Sequence, residues 1–157
     1  MLALSVTLVN NVTQKLRKLA IATDDYSQVW PLVDVYLRKR ISEQFRSEGR
    51  ACGTPWPPLS EVTIARRMKR YNIKKEGKHR ILVDTGALKA SLTSYTGDSI
   101  RKEYKTKFVF GTRLRYARLH QYGSPRDNIP ARPMIVVKAE EIAAFVRRYI
   151  HDVIRRP

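Results

Sequence analysis

The chain has 157 residues, enough for one folded domain with a real core and too few for two ordinary ones. An apolar share of 43% with two Trp argues against a disordered polymer, and the formal charge of +17 excludes an acidic or neutral surface. Between Arg66 and Arg118, 16 Lys and Arg stand against 4 Asp and Glu, a balance of +12. A field of that sign favours a polyanion, either nucleic acid or an acidic protein surface; the plainer reading is a solvated basic face.

Leu4, Val6 and Leu8 alternate with Ser5, Thr7 and Val9, which predicts a half-buried strand. No positive residue precedes this run and no small-residue cleavage site follows it, so it reads as a strand and not a signal peptide. Asn10 and Asn11 then cap a short helix through about Ala22, with Val12, Leu16, Leu19 and Ala20 on one side.

The clearest helix follows. Tyr26, Trp30, Val33, Leu37, Ile41 and Phe45 recur at steps of three or four, and Pro31 must lie in or near the first turn. Arg38, Lys39 and Glu43 are expected on the outer face, and Gly49 ends the helix. In the loop Gly49 to Ser60, three prolines surround Trp56, so that backbone is stiff and can be neither helix nor central strand. Cys52 lies in this loop alone, which rules out an intramolecular disulfide and suits a reducing compartment.

Ser60 is placed to cap a basic helix, EVTIARRMKRY, which opens a basic region at about 66–80. Its polyanion-contact candidates are Arg66, Arg67, Lys69, Arg70, Lys74 and Lys75, the last two in an aperiodic segment that reads as a mobile loop. Two β-prone runs, Leu92 to Thr96 and Lys107 to Gly111, are separated by a turn at Gly97-Asp98 and are expected to pair antiparallel. Tyr116 to Tyr122 fits one or two helical turns before Gly123. Ser124 to Pro133 is a proline-bounded loop leading into a short strand, Met134 to Val137. The chain closes on a helix whose stripe is Ile142, Phe145, Val146, Tyr149, Ile150 and Val153, with Glu140 and Glu141 in its first turn and Arg155 and Arg156 in its last, as the helix dipole prefers. The expected architecture is α+β: one domain over 1–157, with a small, mostly antiparallel sheet packed against two long amphipathic helices and with long loops between elements. No segment approaches the roughly 18 apolar residues of a membrane span.

The triplet Asp84-Thr85-Gly86 behind Leu82 and Val83 imitates the loop of an aspartic protease. Such an enzyme needs two carboxylates sharing a proton, so a chain this small would have to dimerise around Asp84. Here Asp84 or Thr85 instead stands where an N-cap would, before Ala87, Leu88 and Leu92 at helical spacing. A capped turn, with Gly86 in a conformation other residues avoid, is the better reading. His79, His120 and His151 are scattered, so no metal site is expected; His120, among Tyr116, Leu119 and Tyr122, reads as a structural histidine.

Five blocks in order carry a resemblance: GTPWPPLS (53–60), ILVDTGALKASL (81–92), FGT (110–112), YARLHQYG (116–123) and IPARPMI (129–135). Together they resemble the phage virion morphogenesis family, the tail-completion or neck proteins of tailed bacteriophages and Mu-like prophages. The matching positions are Trp56, Leu59, Leu82, Thr85, Gly86, Leu88, Tyr116, Ala117, His120, Gly123, Pro130, Arg132 and Pro133. The resemblance implies fold-defining or interface roles for them, with no catalytic residue, cofactor or metal. It further implies a non-enzymatic structural protein made in the host cytoplasm and built into the virion at the head–tail junction. There it would form a homo-oligomeric ring, six-fold by analogy, beside neck, connector, tail-terminator or tail-tube proteins, with channel DNA as a further partner and no membrane. The basic segment 66–80 stands outside the shared pattern. The alternative of another class is a stand-alone basic nucleic-acid-binding module, supported by charge alone.

Overall fold

The computed structural model describes residues 20, 24–71 and 79–155. The expected N-terminal strand, nearly all of the helix that follows it, and Lys74 and Lys75 lie outside the described residues. Five α-helices and one hairpin are seen there: α1 (Trp30–Ser47), α2 (Glu61–Tyr71), α3 (Ala87–Thr93), β1 (Ser99–Glu103), β2 (Phe108–Thr112), α4 (Tyr116–Tyr122) and α5 (Ala139–Arg155). A single 3-10 turn, Arg50–Cys52, follows α1.

Helix α1 is the spine. Pro31 sits at its start, where the missing N–H costs nothing, and the predicted stripe is its buried face. The N-terminal half of that face, Val29, Trp30, Val33 and Leu37, packs against the hairpin and against Ile142, Phe145, Val146 and Tyr149 of α5. Trp30 stacks on Phe108 with ring centres 5.8 Å apart and donates its indole N–H to the Tyr104 carbonyl. Glu141, at the start of α5, meets Arg40 at 3.5 Å and accepts from Tyr36, whose pKa burial and that carboxylate push up to about 12. The C-terminal half of the α1 face, Ile41 and Phe45, joins Trp56, Ile81, Leu82, Leu88, Leu92, Ala117 and Met134 in a second cluster.

The α1 stripe stops because the backbone reverses. Glu48 adopts φ +51 and Gly49 φ +93, and both N–H groups return to the Gln44 carbonyl. Gly49 is required sterically as well: a Cβ there would lie 2.1 Å from the Thr54 carbonyl oxygen and 2.8 Å from the Trp56 nitrogen. That close approach folds the Pro-Trp loop back against α1, where Trp56 meets Phe45 edge-on at 5.3 Å.

The α+β architecture is as expected, but three local expectations are corrected. The first strand is Ser99–Glu103, not Leu92–Thr96; Leu92 belongs to α3, where Leu88, Ser91 and Leu92 share the buried face. Helical spacing wins over the β-propensity of that run because the core lies on one side of it. Gly97-Asp98 therefore leads from α3 into β1, and the hairpin closes instead at Tyr104–Lys107. Second, Met134–Val137 is no strand. The Gln121 side chain takes the N–H groups of Met134 and Ile135 on its oxygen and donates its amide to the Ile135 carbonyl, supplying what a neighbouring strand would. Third, Arg38 is not on the outer face. It is buried against Asp34 at 3.1 Å, donates to the Ser94 carbonyl at 2.7 Å and lies over the Tyr95 ring. Asp34 also accepts from Tyr95 and pairs with Arg101 of β1, so its buried charge is fully engaged.

Candidate functional site

Two loops are knotted together by one side chain. Arg132, only 6% exposed, donates Nε to the Pro57 carbonyl at 2.9 Å and Nη2 to the Pro58 carbonyl at 2.8 Å. Its own N–H donates to the His120 carbonyl at 2.6 Å, bringing the end of α4 into the same knot. One residue on, the Pro133 carbonyl accepts both the Trp56 indole N–H at 2.9 Å and the buried Gln44 amide at 3.1 Å. Prolines on both sides of these contacts limit backbone freedom, so few side chains fix the whole arrangement. Gly123 permits the close return: its φ is +77, and a Cβ would stand 2.9 Å from the Ala131 nitrogen.

Beneath the knot opens a cleft of about 760 Å³, bounded by Pro58 to Ser60, by one face of α2, by Leu82 and the start of α3, by α4 and by Asn128 to Pro130. Leu59, Leu82, Thr85, Gly86 and Leu88 line one part of it. Tyr116, His120, Pro130 and Arg132 line the rest. Trp56, Ala117, Gly123 and Pro133 do not line it; they stand behind the wall as buried packing or as the turn and carbonyl just described. Residues singled out in four of the five sequence blocks are thus gathered at one place; the FGT block does not reach it.

The electrostatics of the cleft are one-sided. Arg66, Arg67 and Arg132 reach it, and Asp84 is the one carboxylate among its lining residues. Asp84 is already held, 3.5 Å from Arg67 Nε and 3.0 Å from Arg70 Nη1. Arg67 also donates to the Arg80 carbonyl at 2.9 Å, so it faces inward as a structural group. Arg66, Lys69 and Arg70 stay exposed along α2. Of the four basic candidates among the described residues, then, three present charge to solvent and Arg67 largely does not. The helix itself starts as expected, with the Ser60 hydroxyl accepting the Thr63 N–H at 3.3 Å.

Burial and the neighbouring Arg132 hold the His120 pKa below its ordinary value, and burial and Arg67 do the same for Arg132. His120 lies edge-on to Tyr116, and its Nδ1 is buried without a hydrogen-bond partner. Three residues in the walls have left-handed backbone: Leu82 at φ +58, Gly86 at +85 and Asn128 at +52.

The protease-like triplet resolves into a turn. Gly86 is itself the N-cap residue of α3, one position later than expected, because its left-handed φ turns the chain into the helix. The Thr85 hydroxyl accepts the Ala87 N–H at 3.4 Å, a weak local contact and not a true cap. With both oxygens of Asp84 near guanidinium groups and no second carboxylate in the cleft, a shared-proton dyad has no partner among the described residues. Neither do three His, Cys, Asp or Glu side chains gather among them as a metal site, and no described helix is long and apolar enough to cross a membrane.

Sequence reasoning missed Gln44, Glu48 and Gln121. Each is a polar side chain whose role is to satisfy a loop backbone group: Glu48, for instance, accepts the Ile81 N–H at 2.9 Å. A Gln within the apolar stripe, one residue before Phe45, was the available signal for Gln44.

No curated protein and no solved structure matches the chain. The family model of the phage virion morphogenesis family matches residues 7–156, nearly the whole length. The knot of Trp56, Arg132 and Pro133 and the cleft below it are built from the blocks that carried the resemblance, and the chain belongs to the phage virion morphogenesis family.

Proposed function

We propose that this protein is a non-enzymatic structural subunit of the virion head–tail junction, acting in tail completion and head–tail joining as part of a closed ring, six-fold by analogy with its family. The observation that carries the reading is the family match over residues 7–156. Exposed apolar side chains support the ring: Leu32 and Val35, three apart on α1, are 58% and 65% exposed, and Tyr122 is 74% exposed. Exposed apolar side chains, the first two neighbours on one helix face, suit subunit contacts. The exposed cations of α2 suit a polyanion, either channel DNA or an acidic face of a neighbouring neck, connector or tail protein.

The deciding experiment deletes the gene and images the particles. Separate heads and tails, or tails that fail to mature, support the reading; normal infectious particles refute it. Mass measurement of the subunit within assembled particles reports a closed cyclic number if the ring is real.

A further inference from the structure

We infer that the cleft beneath Arg132 is a receptor for an extended acidic polypeptide segment of another virion protein, which seats an apolar side chain on the cleft floor and a carboxylate against Arg66 at the rim. This deepens the proposed role and rests on it only for the partner's belonging to the virion.

Size comes first. A concavity of about 760 Å³ falls within the range of specific ligand sites and is larger than one side chain fills. Its floor is apolar, formed by Leu59, Leu82, Leu88 and Ile129, while Arg66 stands exposed at its rim and Arg67 and Arg132 lie recessed in its walls. Asp84, the one carboxylate in the lining, is already shared between two arginines. Arg66 is exposed and has no ion pair among the described residues, so a carboxylate of the guest meets a free guanidinium there.

The backbone adds an independent observation. Leu82 holds a left-handed conformation, φ +58, that a branched apolar residue rarely adopts, and Asn128, a residue that tolerates it, holds another among the lining residues. Strain of this kind persists where surrounding structure imposes a particular surface shape. His120, a lining residue, also keeps a buried Nδ1 with no hydrogen-bond partner among the described residues.

The same features argue against other occupants. The Arg67 and Arg132 guanidiniums are recessed, with side chains 11% and 6% exposed, and both are tied to carbonyl groups. Phosphates of a nucleic acid, held at the surface of a broad polymer, would reach Arg66 but not the apolar floor, and would pass Asp84. A second copy of this chain brings 31 Lys and Arg against 14 Asp and Glu, which opposes entry at a basic rim.

The test is fluorescence anisotropy on the purified full chain, with a fluorescein-labelled decapeptide of alternating Asp and Leu as probe. Comparators are an Asp/Ser peptide, a Lys/Leu peptide and a ten-nucleotide oligothymidine. The Asp/Leu probe is expected to bind at least about tenfold tighter than each comparator, and the margin over oligothymidine is expected to persist at about 0.5 M salt. Ala87→Trp, at an exposed lining position, sets a bulky ring in the path of the guest without changing the charge, and is expected to weaken binding at least about tenfold. Arg66→Glu should weaken binding about tenfold, whereas Arg147→Glu on exposed α5, the same charge change elsewhere, should leave it within about twofold. Equal loss from Arg66→Glu and Arg147→Glu, or undiminished binding by Ala87→Trp, overturns the inference. Preference for oligothymidine reassigns the site to nucleic acid, and self-association lost in Ala87→Trp reassigns it to a second copy. Specific peptide binding combined with normal particles after gene deletion would instead refute the proposed function and leave the receptor standing.

Discussion

Replacing Arg132 measures how far one side chain holds the signature region together. In Arg132→Lys the single ammonium cannot reproduce the fork that spans the Pro57 and Pro58 carbonyls at 2.9 and 2.8 Å. One charge-assisted bond is lost, at about 1.5–3 kcal/mol. In Arg132→Met the stem is nearly preserved but both charge-assisted bonds are lost, at about 1.5–3 kcal/mol each, so a total near 4 kcal/mol is expected. For a chain of 157 residues that corresponds to a fall in Tm of roughly 8–16 °C, with Arg132→Lys at about half of it. Urea and thermal unfolding, followed by the fluorescence of Trp56 and Trp30, provide the readout. The order wild type, then Lys, then Met is the signature of a forked tether. If Arg132→Met unfolds within about 1 kcal/mol of wild type, the guanidinium does not hold the two proline carbonyls, and the account of the knot is wrong.

Gly49→Ala places a Cβ against backbone atoms of Thr54 and Trp56 and should cost more than about 3 kcal/mol, seen as insoluble protein or a large loss of urea midpoint. Asp84→Asn removes partly exposed ion pairs and should cost under about 1 kcal/mol with particle assembly intact; loss of function in a well-folded variant would revive a catalytic role. Gly86→Val has open space around its new side chain, so its damage must come from φ +85 alone, about 1–2 kcal/mol with a further increment for the β-branch. His120, held below its ordinary pKa of 6.5, binds fewer protons when folded than when unfolded, so stability should fall as pH drops below that value. His120→Gln should flatten the change in urea midpoint between about pH 7.5 and 5.5; an unchanged slope would show that another group carries it.

Legibility in the sequence followed a physical division. Helices with a long one-sided apolar stripe announce themselves, which is why α1 and α5 lie where periodicity puts them, whereas α2 was marked by its Ser60 cap. Short apolar runs are ambiguous, and both strand errors arose there. Leu92 is β-prone in isolation but completes a helical face, and Met134–Val137 is extended with a Gln side chain in place of a strand partner. The buried Arg38 shows the other limit. An Asp34–Arg38 spacing of four reads as an ordinary surface pair, and only the arrival of Tyr95 and Arg101 from distant segments makes it interior.

The cleft lies further from reach, because no local rule places Leu59, Leu88, His120 and Arg132 side by side. Their ordered blocks were legible as a pattern, yet the pattern did not say which residues face outward and which stand behind. Geometry separates them: Trp56, Gly123 and Pro133 are spent on closing the knot, whereas Leu59, Thr85 and Tyr116 still present atoms to the cleft. The basic segment divides in the same way. Arg67 is turned inward by carbonyls and Asp84, so its charge is committed to the fold, while Arg66 one residue earlier projects from the helix uncommitted. Adjacent arginines of identical composition therefore carry different duties. Net charge counts both alike, and only the helical phase of α2 against Asp84 distinguishes the arginine that builds the site from the one free to meet a partner.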